Sequence, residues 1–152
     1  MKLRPLLVAA AALALSSSAA FAAKTKLVSI GEVIATAPEA KGKLTLVRST
    51  LEEELDTIDW RKSTRMKPYV VSVSVVGLDT ERTQEKISTT CILSTTVRSA
   101  KDGSVVIILN QRSRAENDPA HARVVEDGAI RAAASAAIRK IPGALEVAKR
   151  GG

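Results

Sequence analysis

Between Tyr69 and Leu109 the chain alternates apolar and small polar residues with a period of two, and that rhythm admits few folds. Tyr69, Val71, Val73 and Val75 alternate with Val70, Ser72 and Ser74, and Ile87, Cys91, Leu93 and Val97 alternate with Ser88, Thr90, Ser94 and Thr96. Successive side chains of a strand point to opposite faces, so each run reads as a strand with one apolar face. Ser104–Leu109 (SVVIIL) is apolar on both faces and suits a central or well-covered strand. The charged stretch Asp79–Glu85 (DTERTQE) joins the first two strands, and Ala100-Lys101-Asp102-Gly103 joins the second to the third. Asp-Gly at that point is a strong hairpin signal. Such a meander presents an apolar face that something has to cover.

Two helices are available to cover it. Leu44, Val47, Leu51, Leu55 and Ile58 recur at intervals of 3, 4, 4 and 3, which places all five on one helical face, while Glu52, Glu53 and Glu54 fall mostly on the solvated side. A second helix is expected from about Pro119 to Ile141, capped by Asp118, with Pro119 at the favoured first position. Its stripe is Ile130, Ala134, Ala137, Ile138 and Ile141, and Pro142-Gly143 is expected to stop it. Lys24–Ala37 reads as an edge strand, and Asp59–Pro68 (DWRKSTRMKP) as a polar, basic loop. The order β-α-β-β-β-α then implies an α+β fold: a two-layer sandwich, with a mostly antiparallel sheet and both helices on one face. Residues 23–143 make one domain in this reading, and 144–152 a loose tail.

The first 22 residues are set apart from that domain. Lys2 and Arg4, an apolar run from Leu6 to Leu15, and Ala20-Phe21-Ala22 have the layout of a secretory signal peptide cleaved near Ala22. The run is too short to span a bilayer, and no later stretch is apolar enough to do so. The reading is therefore a bacterial periplasmic or secreted protein. Cys91 is the only cysteine, so no intrachain disulfide can form. Ala23 stands where a lipoprotein would need its anchoring cysteine, so no lipid anchor is expected. Without Lys2 and Arg4 the chain keeps 21 basic against 16 acidic residues, a net charge of +5. For an exported protein this points to anionic envelope partners and away from nucleic acid.

Residues for catalysis are scarce. His121 is the only histidine, and no nucleophile elbow or phosphate-binding glycine loop is present. Cys91 sits on the apolar face of its strand beside Leu93, where a thiol behaves as a small hydrophobe. The expectation is a protein without catalytic activity, metal or cofactor. One region suggests a binding surface instead. Strand order brings the 59–68 loop, the end of the second meander strand and the start of the third to one end of the sheet. Arg61, Lys62, Arg65 and Lys67 then lie near Arg98 and Lys101, with Trp60 and Tyr69 as aromatic anchors. The rim of the core is the favoured place for Trp60 and Tyr69, since tryptophan is usually largely buried.

The element order has a parallel. An exported β-α-β-β-β-α domain, with KPYVVSVSVVGL rising as a strand from a loop after a helix, resembles the periplasmic domains of the cell-envelope activators of penicillin-binding proteins. It is also similar to a domain of the curli-secretion channel and to the amino-terminal domain of the Tol-system translocation protein. The resemblance lies in element order and in the position of the Asp-Gly turn; the anchoring cysteine of the activators is absent here. It implies a protein-binding envelope module without catalysis. The expected function is thus docking on another envelope protein. The alternatives are binding an anionic envelope polymer or lipid surface, or acting as a small hydrolase or inhibitor with no identifiable site. Self-association through the edge strand Lys24–Ala37 is a further expectation.

Overall fold

The apolar runs assemble as a sheet and the helices laid on it, in a computed structural model that describes residues 26–150. The expected signal peptide, residues 1–22, lies outside the described residues. The order is β1 (Val28–Ala35), a 3-10 segment (Pro38–Lys43), α1 (Leu44–Asp56), α2 (Trp60–Thr64), β2 (Tyr69–Arg82), β3 (Ile87–Ser99), β4 (Val105–Asn117), a 3-10 turn (Pro119–His121) and α3 (Ala122–Arg150). The sheet runs β1-β2-β3-β4, with β1 parallel to β2 and the other two pairings antiparallel. A parallel neighbour requires a crossover, which α1 supplies. α1 packs on β1 and α3, and α3 packs on β3 and β4, so the fold is α+β with the helices on one face.

The alternation sets that face. Val71, Val73 and Val75 of β2 and Cys91, Leu93 and Val97 of β3 are buried beneath the helices. Val47, Leu51 and Leu55 of α1 and all five expected stripe residues of α3 meet them there. Arg48 holds the outer rim, its Nη2 donating to the Gly31 carbonyl at 2.8 Å beside a bulge between Ile30 and Val33. Gly31 is needed at that spot, because a Cβ there would lie 2.6 Å from Val70 Cγ1.

The structure corrects four expectations. The 59–68 segment is not all loop: Asp59 caps the short helix α2, accepting from the Arg61 N–H at 3.1 Å. The DTERTQE connection shrinks to a turn, because β2 runs on to Arg82. A bulge between Val75 and Gly77 shifts the phase there and returns Leu78 to the core, which hides the continuing strand from a simple period-2 reading. The SVVIIL run is not central but begins the edge strand β4, with Val105 and Ile108 exposed on the face the helices leave open. The same strand continues to Asn117.

The fourth correction concerns the end of the chain. α3 passes through Pro142 and reaches Arg150, so the tail expected at 144–152 is helical wherever it is described. An interior proline costs about 3 kcal/mol. Leu145, one turn beyond Ile141 on the same stripe, is fully buried, and burying a leucine contributes roughly 1.5–3 kcal/mol in return. The two are close enough for packing to carry the helix past the break. Leu145→Ala is therefore expected to lower unfolding stability by about 2–5 kcal/mol, as at other core leucines. Urea unfolding midpoints check this; a residue in a loose tail would change them little.

Candidate functional site

The short helix α2 and the turn after it organise the end of the sheet where β2 begins. Trp60 is 8 % exposed, and its indole N–H donates to the Leu55 carbonyl at 2.9 Å. Thr64 is fully buried and donates its hydroxyl to the Trp60 carbonyl at 2.7 Å. Tyr69 is 6 % exposed. Both aromatics thus belong to the rim of the core and do not serve as exposed anchors. Between them lies a turn in which Arg65 and Met66 have φ of 50° and 62°. Left-handed backbone costs a residue with a side chain roughly 1–2 kcal/mol, and two in succession turn Met66 outward, 65 % exposed.

The expected basic residues do not form a single cluster. Arg61 lies beside Asp56, Asp59 and Lys26. Lys67 and Lys101 border a hollow of about 420 Å³ with Tyr69, Ser99 and Asp102. Arg98 is separated from the rest: it pairs in register with Val70 and faces the open side of the sheet, with Ser72, Ser74, Thr96 and Glu32 around the same depression. Lys62 and Arg65 gain partners that sequence reasoning missed. The last turn of α3 brings Lys149 and Arg150 to them, and with Glu146 the four cations line a pocket of about 300 Å³. The signal that could have found them was Leu145, four residues after Ile141, continuing the apolar stripe past the proline.

Charge separates the two ends of the molecule. At the far end acids and cations are interspersed, and three of the cations are paired. Arg114 bridges Glu81 and Glu116, Lys86 also meets Glu116, and Lys43 holds Glu126 and Asp127 at 3.1 and 2.8 Å. At the α2 end, among the described residues, Arg61, Lys62, Arg65, Lys67, Lys101, Lys149 and Arg150 make no ion pair within 4.0 Å. The acids there are engaged locally: Asp59 caps α2, and Asp102 accepts from the N–H and hydroxyl of Ser104 at 3.0 and 2.7 Å. Lys149 donates to the Ser63 carbonyl. Partial burial and then the nearby charges of Arg65 and Lys67 hold its ammonium below the usual lysine range, with Glu146 opposing them. A crowd of like charges in one pocket is a cost to the fold.

The other chemically capable groups lie elsewhere. His121 is exposed in the 3-10 turn before α3. Cys91 is fully buried, and burial pushes its thiol up from 9.0 to about 11. No group of three or more His, Cys, Asp or Glu able to hold a metal occurs among the described residues, and no helix there is long and apolar enough to cross a membrane. The folded thiol keeps its proton to higher pH than the unfolded one. Its contribution to stability is thus complete below pH 9.0 and is lost as pH rises toward 11. Urea midpoints measured across that window should fall more steeply for the native chain than for Cys91→Ala.

No family model matches the chain, and no curated protein matches it in sequence. Solved structures do match. A Caulobacter crescentus protein described as a lipoprotein superposes with a TM-score of 0.50 at 19 % identity, covering 83 % of this chain and 92 % of that one. A minor lipoprotein from Acinetobacter baumannii gives 0.51 at 9 % identity, over 78 % and 92 %. A Xanthomonas campestris protein of the DUF330 family gives 0.51 at 11 %, over 78 % and 89 %. At these identities the likeness is one of fold: this chain shares its architecture with bacterial proteins of lipoprotein type.

Proposed function

We propose that this chain is an exported, non-catalytic binding module of the bacterial envelope, and that it docks on an anionic envelope component through its α2 end. The observation that carries this is the pocket in which Lys62, Arg65, Lys149 and Arg150 converge with Glu146 as the only acid among its lining residues. Export is supported by the leader-like residues 1–22 and by the lipoprotein-type proteins that share the fold. The non-catalytic reading is supported by a thiol sequestered in the core and a single exposed histidine.

Of the partner classes open to such a module, another envelope protein was expected to meet Trp60 and Tyr69. With both aromatics buried, the cations, together with the exposed Met66, are what this end offers a partner. Sedimentation with washed envelope fragments tests the reading. The chain from Ala23 onward is expected to sediment with the fragments at low salt and to be released near ~0.5 M salt, where the Debye length falls below about 5 Å. A Lys62→Glu/Arg65→Glu/Arg150→Glu variant, with folding checked by circular dichroism, is expected to stay in solution. Equal sedimentation of the two proteins would remove the α2 end from the function.

A further inference from the structure

We infer that the anionic component is a phospholipid surface, with lipid phosphates seated in the pocket between the Arg65 turn and the last turn of α3, and with Met66 entering the headgroup layer. This rests on the docking reading above and names its partner. Cations alone would suit an anionic polymer or an acidic protein face equally well. The distinguishing feature is apolar. Met66 stands 65 % exposed between Arg65 and Lys67, on a turn whose strained backbone directs it outward. Val147, 70 % exposed, lies on the final turns of α3, three residues before Arg150. Cationic side chains interleaved with projecting apolar ones match a surface that is charged outside and apolar just beneath, which a bilayer offers and a hydrated polymer does not.

The described chain also starts at this end. β1 begins at the same end, Val28 pairing in register with Tyr69, and Lys26 forms an ion pair with Asp56 at the end of α1. The described residues therefore begin at the cationic end of the fold. The far end is less suited to the role, because acids are interspersed with its cations: Lys43, Lys86 and Arg114 pair with Glu81, Glu116, Glu126 and Asp127, while Arg82 and Arg123 make no ion pair within 4.0 Å among the described residues.

The test is partition of the chain from Ala23 onward, which contains every described element, onto vesicles of phosphatidylglycerol with phosphatidylcholine or of phosphatidylcholine alone. Binding is expected only to the anionic vesicles, falling about tenfold or more in Lys62→Glu/Arg65→Glu/Arg150→Glu as the cations are reversed. Met66→Ser is expected to weaken it roughly three- to tenfold, while Met66→Leu, which keeps an apolar tip, binds as the native chain does. Failure to bind anionic vesicles, equal binding to both compositions, or a Met66→Ser variant indistinguishable from native would overturn the inference. Should the chain still sediment with envelope fragments in a charge-dependent way, the docking reading would survive, with an anionic polymer or an acidic protein as partner. Should it bind neither, both would fall together.

Discussion

The burial of one face of a four-stranded sheet by α3 is the contact on which the other features depend. α3 has 29 residues and β4 has 13; at 1.5 Å and about 3.4 Å per residue each is roughly 44 Å long. A helix laid along such strands has to run their whole length or leave apolar side chains in water. Small residues let it lie close: a Cβ at Gly128 would sit only 3.8 Å from the Ala115 Cβ of β4. The same requirement carries α3 through Pro142, since stopping there would uncover Leu145 and the core it caps.

The length of α3 also shapes the surface chemistry. Its last turn reaches α2, and so Lys149 and Arg150 arrive beside Lys62 and Arg65. A cationic pocket arises where two segments distant in sequence end together. The other end of the molecule uses the same residue types differently, matching Lys43, Lys86 and Arg114 with acids. The contrast separates an end where acids and cations are interspersed from one whose pocket gathers four cations around a single acid.

Several features of this site were legible in the sequence and others were not. The gathering of the 59–68 segment, Lys101 and the start of β2 followed from strand order alone. Arg98 should have been set apart, because Val97 faces the core and its neighbour must face the other way. For Trp60 and Tyr69 the sequence favoured the rim over the surface, since aromatics are usually buried, but composition does not say which way an aromatic at an element boundary turns. The indole bond to the Leu55 carbonyl settles it. The left-handed pair Arg65-Met66 had no signal, as neither residue is one that such a backbone favours.

By itself the sequence determined the sheet, the two long amphipathic helices and the face on which they meet, because periods of two and of three to four are local properties of the chain. It also determined that no disulfide holds the fold, since Cys91 stands alone. The tertiary structure decided where those elements end and which strand lies at the edge. Both depend on what is packed against an element: Leu145 outweighs a proline, and SVVIIL, apolar on both faces, is left at a margin. It decided, too, which cations share a pocket, for electrostatic crowding depends on distances in space that spacing along the chain does not encode.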